Sequence, residues 1–214
     1  MESFLIIGMG KFGSSLAREL AELGHDVLIM DRNEERVSEI ADVVTHSVIA
    51  DAGEEETLRS VGIANFDVAV VAIGGNIEES VLITMLLKEL GVPKVVSKAH
   101  SDLHMKILKK IGADIVVFPE RDMGVRLAQR LSSKNIVDYI GLSGEHSLAE
   151  VGIRSEWVGK TLGELDFRAE YGVNVIAVTN PQSEKTHVSP TAEYRIENDD
   201  ELIVVGRNSD IKKL

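Results

Sequence analysis

Six residues near the N-terminus, Gly8-Met9-Gly10-Lys11-Phe12-Gly13, have the spacing of a phosphate-binding turn. They follow a strand-like apolar run and precede a helical pattern, the context in which a GxGxxG spacing carries meaning. Gly8 permits the tight turn, Gly10 lets a phosphate approach the backbone and Gly13 lets the helix pack on the strand. The helix N-terminus adds amide donors and a partial positive charge. Asp31, with Arg32 beside it, ends a second apolar run 23 residues after Gly8. A carboxylate there accepts from both hydroxyls of a ribose and repels a 2′-phosphate. The chemistry indicated is the grip of an adenosine nucleotide, with NADP disfavoured.

The elements that must position these groups follow from periodicity. Short apolar runs at residues 4–8, 27–31, 46–50, 68–73, 94–98 and 114–118 alternate with helical patterns. That alternation predicts βαβ units and a parallel, Rossmann-like doubly wound sheet, hence an α/β fold. Leu16, Leu20 and Leu23 mark one helix face, Leu82, Met85, Leu86 and Leu90 another, and Leu103, Ile107 and Ile111 a third. Gly24, Gly62, Gly91 and Gly112 follow helical runs where a left-handed cap is wanted.

Ligands of such sheets bind at the carboxyl ends of the strands. Those ends are Gly8, Asp31, Asp51, Ile73-Gly74, Lys98 and Pro119-Glu120. Asp51 and Ala52 are placed to flank an adenine, Gly74 and Asn76 to border sugar or phosphate, and Lys98 to reach phosphate. Each of these could equally be a solvated strand end or a helix cap, and both uses stay open.

Beyond a helix over residues 123–131 the pattern changes. Ser132-Ser133-Lys134-Asn135 is a polar break, followed by a short apolar stretch. The organisation expected is a nucleotide-binding domain over 1–133, a crossover or linker helix over 134–140 and a small α+β domain over 141–214. In that second domain, strands are expected at 148–153, 173–178, 187–189 and 202–206, with one helix at 161–171. Thr161 and Glu164 have capping-box spacing.

Composition narrows the function classes. Of 214 residues, 44% are hydrophobic and 27% charged, values that exclude a disordered or fibrous chain. There is no Cys, which removes disulfides, thiolate nucleophiles and Cys-based metal sites and suits a reducing compartment. The net charge is −12, divided as −7 over residues 1–133 and −5 over 134–214. Neither part offers a basic face for nucleic acid or an anionic membrane. No basic segment precedes the first strand, so no signal peptide is expected. No apolar run approaches the length of a membrane span.

Catalytic signatures are missing. The sequence has no GxxxxGK[ST] loop and no GxSxG elbow, and His100 with His104 lacks the Glu of a zincin. These two histidines read as surface or cap residues. The last 75 or so residues hold His146 and His187, from which no proton donor with its orienting partner can be assembled. A binding fold without such machinery reads as a sensor.

The runs Phe4-Leu-Ile-Ile-Gly-Met-Gly-Lys-Phe-Gly13, Gly24-His-Asp-Val27, Ile49-Ala-Asp-Ala52, Ala72-Ile-Gly-Gly-Asn76, Ile111-Gly-Ala-Asp114 and Pro119-Glu-Arg-Asp-Met-Gly124 resemble RCK domains, regulators of K+ conductance of the KtrA and TrkA type. Arg168-Ala-Glu-Tyr-Gly172 and the run 201–206 resemble the RCK C-terminal subdomain, so the likeness covers nearly the whole chain. The resemblance implies a cytoplasmic regulatory subunit, assembled from dimers into an octameric ring on a KtrB- or TrkH-type membrane K+ pore. It implies ATP, ADP or NAD(H) in the N-terminal cleft, exchanged to gate K+ flux, and a divalent cation, Mg or Ca, near Glu120. It further implies that residues 135–140 swap between neighbours and that cyclic di-AMP contacts fall at Arg168, Asn174 and Pro190. Where the family usually has Arg, this chain has Lys11, which keeps the charge and loses the planar fork that grips two phosphate oxygens. How strongly ATP and ADP are told apart there stays open. A small NAD-dependent oxidoreductase and a nucleotide-binding protein with no membrane partner stand as alternatives.

Overall fold

The computed structural model describes residues 1–132, 135–183 and 185–214. The chain divides into two compact units, Met1–Glu120 and Arg121–Leu214.

In the first unit, the apolar runs become strands β1 (Ser3–Ile7), β2 (Asp26–Asp31), β3 (His46–Ile49), β4 (Val68–Val71), β5 (Lys94–Lys98) and β6 (Ile115–Val117). All pair in parallel, in the order β3-β2-β1-β4-β5-β6. This is the doubly wound order, with its switch point between β1 and β4. Leu5, Ile6, Ile7 and Val68–Val71 are all buried, as strands covered on both faces must be. Alternate residues feed two cores. Leu5, Ile7, Ala69 and Val71 pack with Ile83, Leu86 and Leu87 on one face, and Ile6, Val68 and Val70 pack with Ala17, Val37 and Ile40 on the other.

The helices of this unit are α1 (Lys11–Glu22), α2 (Glu34–Ser38), α3 (Glu55–Ser60), α4 (Ile77–Glu89) and α5 (Asp102–Lys110). Asn33, Asn76 and Ser101 cap α2, α4 and α5 by accepting from the amides of Arg36, Glu79 and His104. The four glycines expected after helical runs all have positive φ. One expectation fails here. His100 is exposed, but His104 is buried, its ring edge-on to His100 at 5.3 Å. The helix turns this position toward the core, and burial lowers its pKa.

The second unit contains most of α6 (Pro119–Ser132), whose first position is a proline, where its missing N–H costs nothing. Its strands are β7 (Ile136–Gly141), β8 (His146–Gly152), β9 (Val173–Asn180), β10 (Lys185–Val188) and β11 (Glu201–Arg207), in the order β10-β9-β11-β8-β7 and antiparallel throughout. Short helices α7 (Leu162–Leu165), α8 (Phe167–Tyr171) and α9 (Asn208–Ile211) complete it. Trp157, Phe167, Val173, Leu202 and Val204 form its core, with the indole edge-on to Phe167.

Two expectations are corrected in this unit. The linker helix expected over 134–140 is strand β7 from Ile136 onward, because Ile136 and Tyr139 bury against β8 in a pleat that a helix could not share. Ser133 and Lys134 lie outside the described residues. The single helix expected over 161–171 is two, broken at Asp166, whose φ of 35° is left-handed and whose carboxylate accepts from the amide of Ala169 to start α8. The capping box of Thr161 and Glu164 is present in both directions.

Asp114 ties three elements of the first unit together. Its carboxylate accepts from the amide of Val95 at 2.7 Å and from Lys88 Nζ at 2.9 Å. These bonds hold its pKa below the ordinary aspartate value, the amide bond first. A depressed carboxylate stabilises the fold above the ordinary aspartate range and ceases to do so as pH falls through the lowered value. Asp114→Asn should therefore lower the thermal midpoint at pH 7, and the gap from wild type should close in a melting series taken down to pH 3.

Candidate functional site

The carboxyl ends of β1, β2 and β4 surround a cavity of about 340 Å³, a size suited to a nucleotide-sized ligand. The turn from β1 into α1 forms its floor. Gly8 has φ +97°, a left-handed backbone that only glycine adopts freely. Gly13 is confined more tightly still, since a Cβ there would lie 2.0 Å from the carbonyl oxygen of Gly8. At Gly10 a Cβ would meet nothing within 4 Å, so the space over this residue is open. Gly10 is also the N-cap of α1, with no side-chain cap and no acidic residue in the first turn. The amide donors of this helix start therefore point at the cavity without a side-chain acceptor.

Asp31 fastens the turn. One carboxylate oxygen accepts from the amide of Met9 at 2.6 Å and the other from Asn33 at 2.8 Å. A carboxylate has about four lone-pair positions, so capacity is left for the hydroxyls of a sugar. Arg32 reaches across to Glu79, to which its Nη2 donates, and its Nε lies 3.4 Å from Asp51. The Asp51 carboxylate also accepts from the amide of Gly53.

Of the residues expected at the site, Gly8, Gly10, Asp31, Arg32, Ala52, Ile73, Gly74 and Asn76 line this cavity. Met9 and Gly13 act behind it, one as a donor to Asp31 and the other as the contact that lets α1 approach β1. Asp51 acts through Arg32. Lys98 stands next to Gly74, donates to Glu120 at 2.6 Å and lies 5.6 Å from the ring centre of Phe12. That bond holds the Glu120 carboxyl below its usual range. Lys11 is exposed on the first turn of α1. Among the described residues no three His, Asp or Glu side chains gather as a metal site, and the Glu120 carboxylate faces a lysine.

Among the lining residues that sequence reasoning missed are three polar ones, Asn33, Arg36 and Glu79. Cap spacing carried a signal for all three, because Asn33-x-x-Arg36 and Asn76-x-x-Glu79 are each an N-cap and the residue whose amide it accepts. In the second unit Arg168, Asn174 and Pro190 do come together, around a shallower cavity of about 220 Å³.

Strand order, glycine turn and strand-ending acid define a Rossmann-type module, joined here to a small antiparallel second unit. The chain belongs to the TrkA family: the TrkA-N domain matches residues 4–119 and the TrkA-C domain residues 147–214. It is 45% identical to the Ktr system potassium uptake protein C of Bacillus subtilis, over 99% of this chain and 95% of that one. It is 44% identical to protein A of the same system and organism, with the same coverage. Among solved structures, the GsuK RCK domain superposes with a TM-score of 0.69 at 18% identity, over 100% of this chain and 47% of that one. The TrkA-N domain of Escherichia coli inner membrane protein YbaL gives 0.56 at 21% identity, over 61% of this chain and 96% of that one. At these identities the likeness to solved structures concerns the fold.

The glycines separate by function in a stability assay. Gly13→Ala should cost about 2–4 kcal/mol in denaturant unfolding, because its methyl meets a backbone oxygen that cannot yield. Gly10→Ala, with extended φ and open space, should stay within about 1 kcal/mol of wild type.

Proposed function

We propose that this chain is the nucleotide-binding regulatory subunit of a K+ uptake system, gating a separate KtrB- or TrkH-type membrane pore from the cytoplasmic side through a ligand-dependent change in a ring of like chains. One observation carries the reading: a chain 45% identical along 99% of its length to a Ktr potassium uptake protein has a nucleotide-sized cleft at its sheet's switch point. No helix among the described residues is long and apolar enough to cross a membrane, which is consistent with a pore supplied by another protein.

In this reading the Gly8–Gly10 turn and the start of α1 receive the phosphates of ATP or ADP, and Asp31 holds the ribose. Ala52 and Ile73 border the adenine, and Gly74 and Asn76 border the sugar-phosphate side. Lys98 stands toward the outer phosphates, its charge shared with Glu120. NAD(H) meets the same acid and the same turn. Arg168, Asn174 and Pro190 are the corresponding candidates for cyclic di-AMP in the second unit.

Gating requires that a ligand favour one state of the ring over the other, and moving a population from 1:99 to 99:1 takes about 5.5 kcal/mol. Copies in a ring can share that difference. A phosphate held between cationic side chains of two copies is a natural source of it, since charge-assisted bonds depend strongly on where the partner stands.

Calorimetry on the purified full chain with ATP, ADP and NAD tests the reading. At least one should be taken up, and Asp31→Ala should weaken it about tenfold or more through loss of charge-assisted bonds. Co-expressed with a KtrB-type pore in a bacterium deficient in K+ uptake, the wild-type chain should restore growth at low K+ and Asp31→Ala should not. Absence of uptake of any adenylate overturns the proposal, as does growth that is indifferent to the chain.

A further inference from the structure

Arg32 directly follows the acid that ends β2, a place where a guanidinium beside the ribose can accommodate a 2′-phosphate. In this structure that guanidinium is already committed. It donates to Glu79 in the first turn of α4, and its Nε lies 3.4 Å from Asp51 beyond β3. Of the three side chains Glu79 is the least exposed, at 19% against 36% for Asp51 and 53% for Arg32, so its pairing is the less screened by solvent. Glu79 is also held in place, because Asn76 caps its amide and thereby fixes the first turn of α4. Asp51 is shared with the amide of Gly53 and is the weaker claimant on Arg32.

We propose that Glu79 is a specificity residue: by holding Arg32 it withholds the guanidinium from a 2′-phosphate, so that the cleft takes adenine nucleotides with both ribose hydroxyls free. This rests on the reading of the cleft as an adenine-nucleotide site and adds which members of that class it accepts. Asp31 and Glu79 then act by different means. Asp31 faces the ribose and repels added negative charge there. Glu79 acts at a distance, removing the cation that could offset such repulsion. A phosphate group brings between about −1.5 and −2 charges and needs charge-assisted donors to be tolerated. Competing for Arg32, it would have to displace two carboxylates. Arg36, which also lines the cavity, is the other cation within reach and has to be tested beside Arg32.

The experiment compares binding of ADP and of ADP carrying an additional 2′-phosphate by the full chain, in calorimetry at fixed ionic strength. Wild type should strongly prefer plain ADP. Glu79→Gln should narrow that preference about tenfold, the scale of one charge-assisted bond. The double variant Glu79→Gln with Arg32→Ala should restore the wild-type ratio. Glu79→Ala provides a second route to the same readout if the glutamine variant folds poorly, and thermal melting checks both. An unchanged ratio in the Glu79 variants overturns the inference while leaving the nucleotide reading intact. So does a gain that survives loss of Arg32 and vanishes with Arg36→Ala, since the cation at work is then Arg36. Should wild type take up neither of these ligands nor ATP or NAD, the nucleotide reading itself falls.

Discussion

The carboxylate of Asp31 on the amide of Met9 is the bond from which the rest of the cleft is built. It joins the end of β2 to the turn after β1, two segments that the parallel sheet brings side by side but does not otherwise lock beyond the last ladder bond. With the turn held, Gly13 can approach the carbonyl of Gly8, and α1 starts with its amides facing the cavity. The same acid is the group expected to receive the ribose. In the proposed reading one side chain thus both sets the shape of the cleft and receives the ligand, which couples occupancy to turn geometry through the same two oxygens.

Around that bond, charge is distributed with little excess. Arg32 is balanced by Asp51 and Glu79, and Lys98 by Glu120. With Arg32 and Lys98 each held in a pair, these two cations offer an anion few ready-made bonds, and the backbone of the α1 start and Arg36 are the donors left beside the cleft. In the proposed reading Lys11, exposed on the first turn of α1, lacks the planar fork with which an arginine grips two oxygens at once.

Much of this was legible in the chain. All six strands of the first sheet fall within a residue or two of their apolar runs, because central parallel strands such as 68–71 are apolar throughout and glycines such as Gly24 and Gly91 end the intervening helices. The glycine turn and Asp31 were legible because their spacing is dictated by one βαβ unit. Strand β7 was not, because six residues after a polar break hold no period long enough to tell strand from helix, and its partner β8 decides. The burial of His104 depends on how α5 is rotated, and the break at Asp166 on one left-handed residue that no period announces. The reach of Arg32 to Glu79 joins residues 47 positions apart, which local spacing cannot express.

The uncapped start of α1 has a consequence at longer range. In the proposed reading a chain of net charge −12 surrounds an anion's pocket, so an approaching phosphate is repelled by the molecule as a whole and attracted only at close range, by the first turn of α1 and the cations beside the cleft. Dissolved salt weakens the distant repulsion, which acts over more than the roughly 10 Å screening length of a 0.1 M solution, more than it weakens contacts made at hydrogen-bond distance. Rising ionic strength should accordingly ease entry into this cleft, the reverse of what a basic anion-binding surface does.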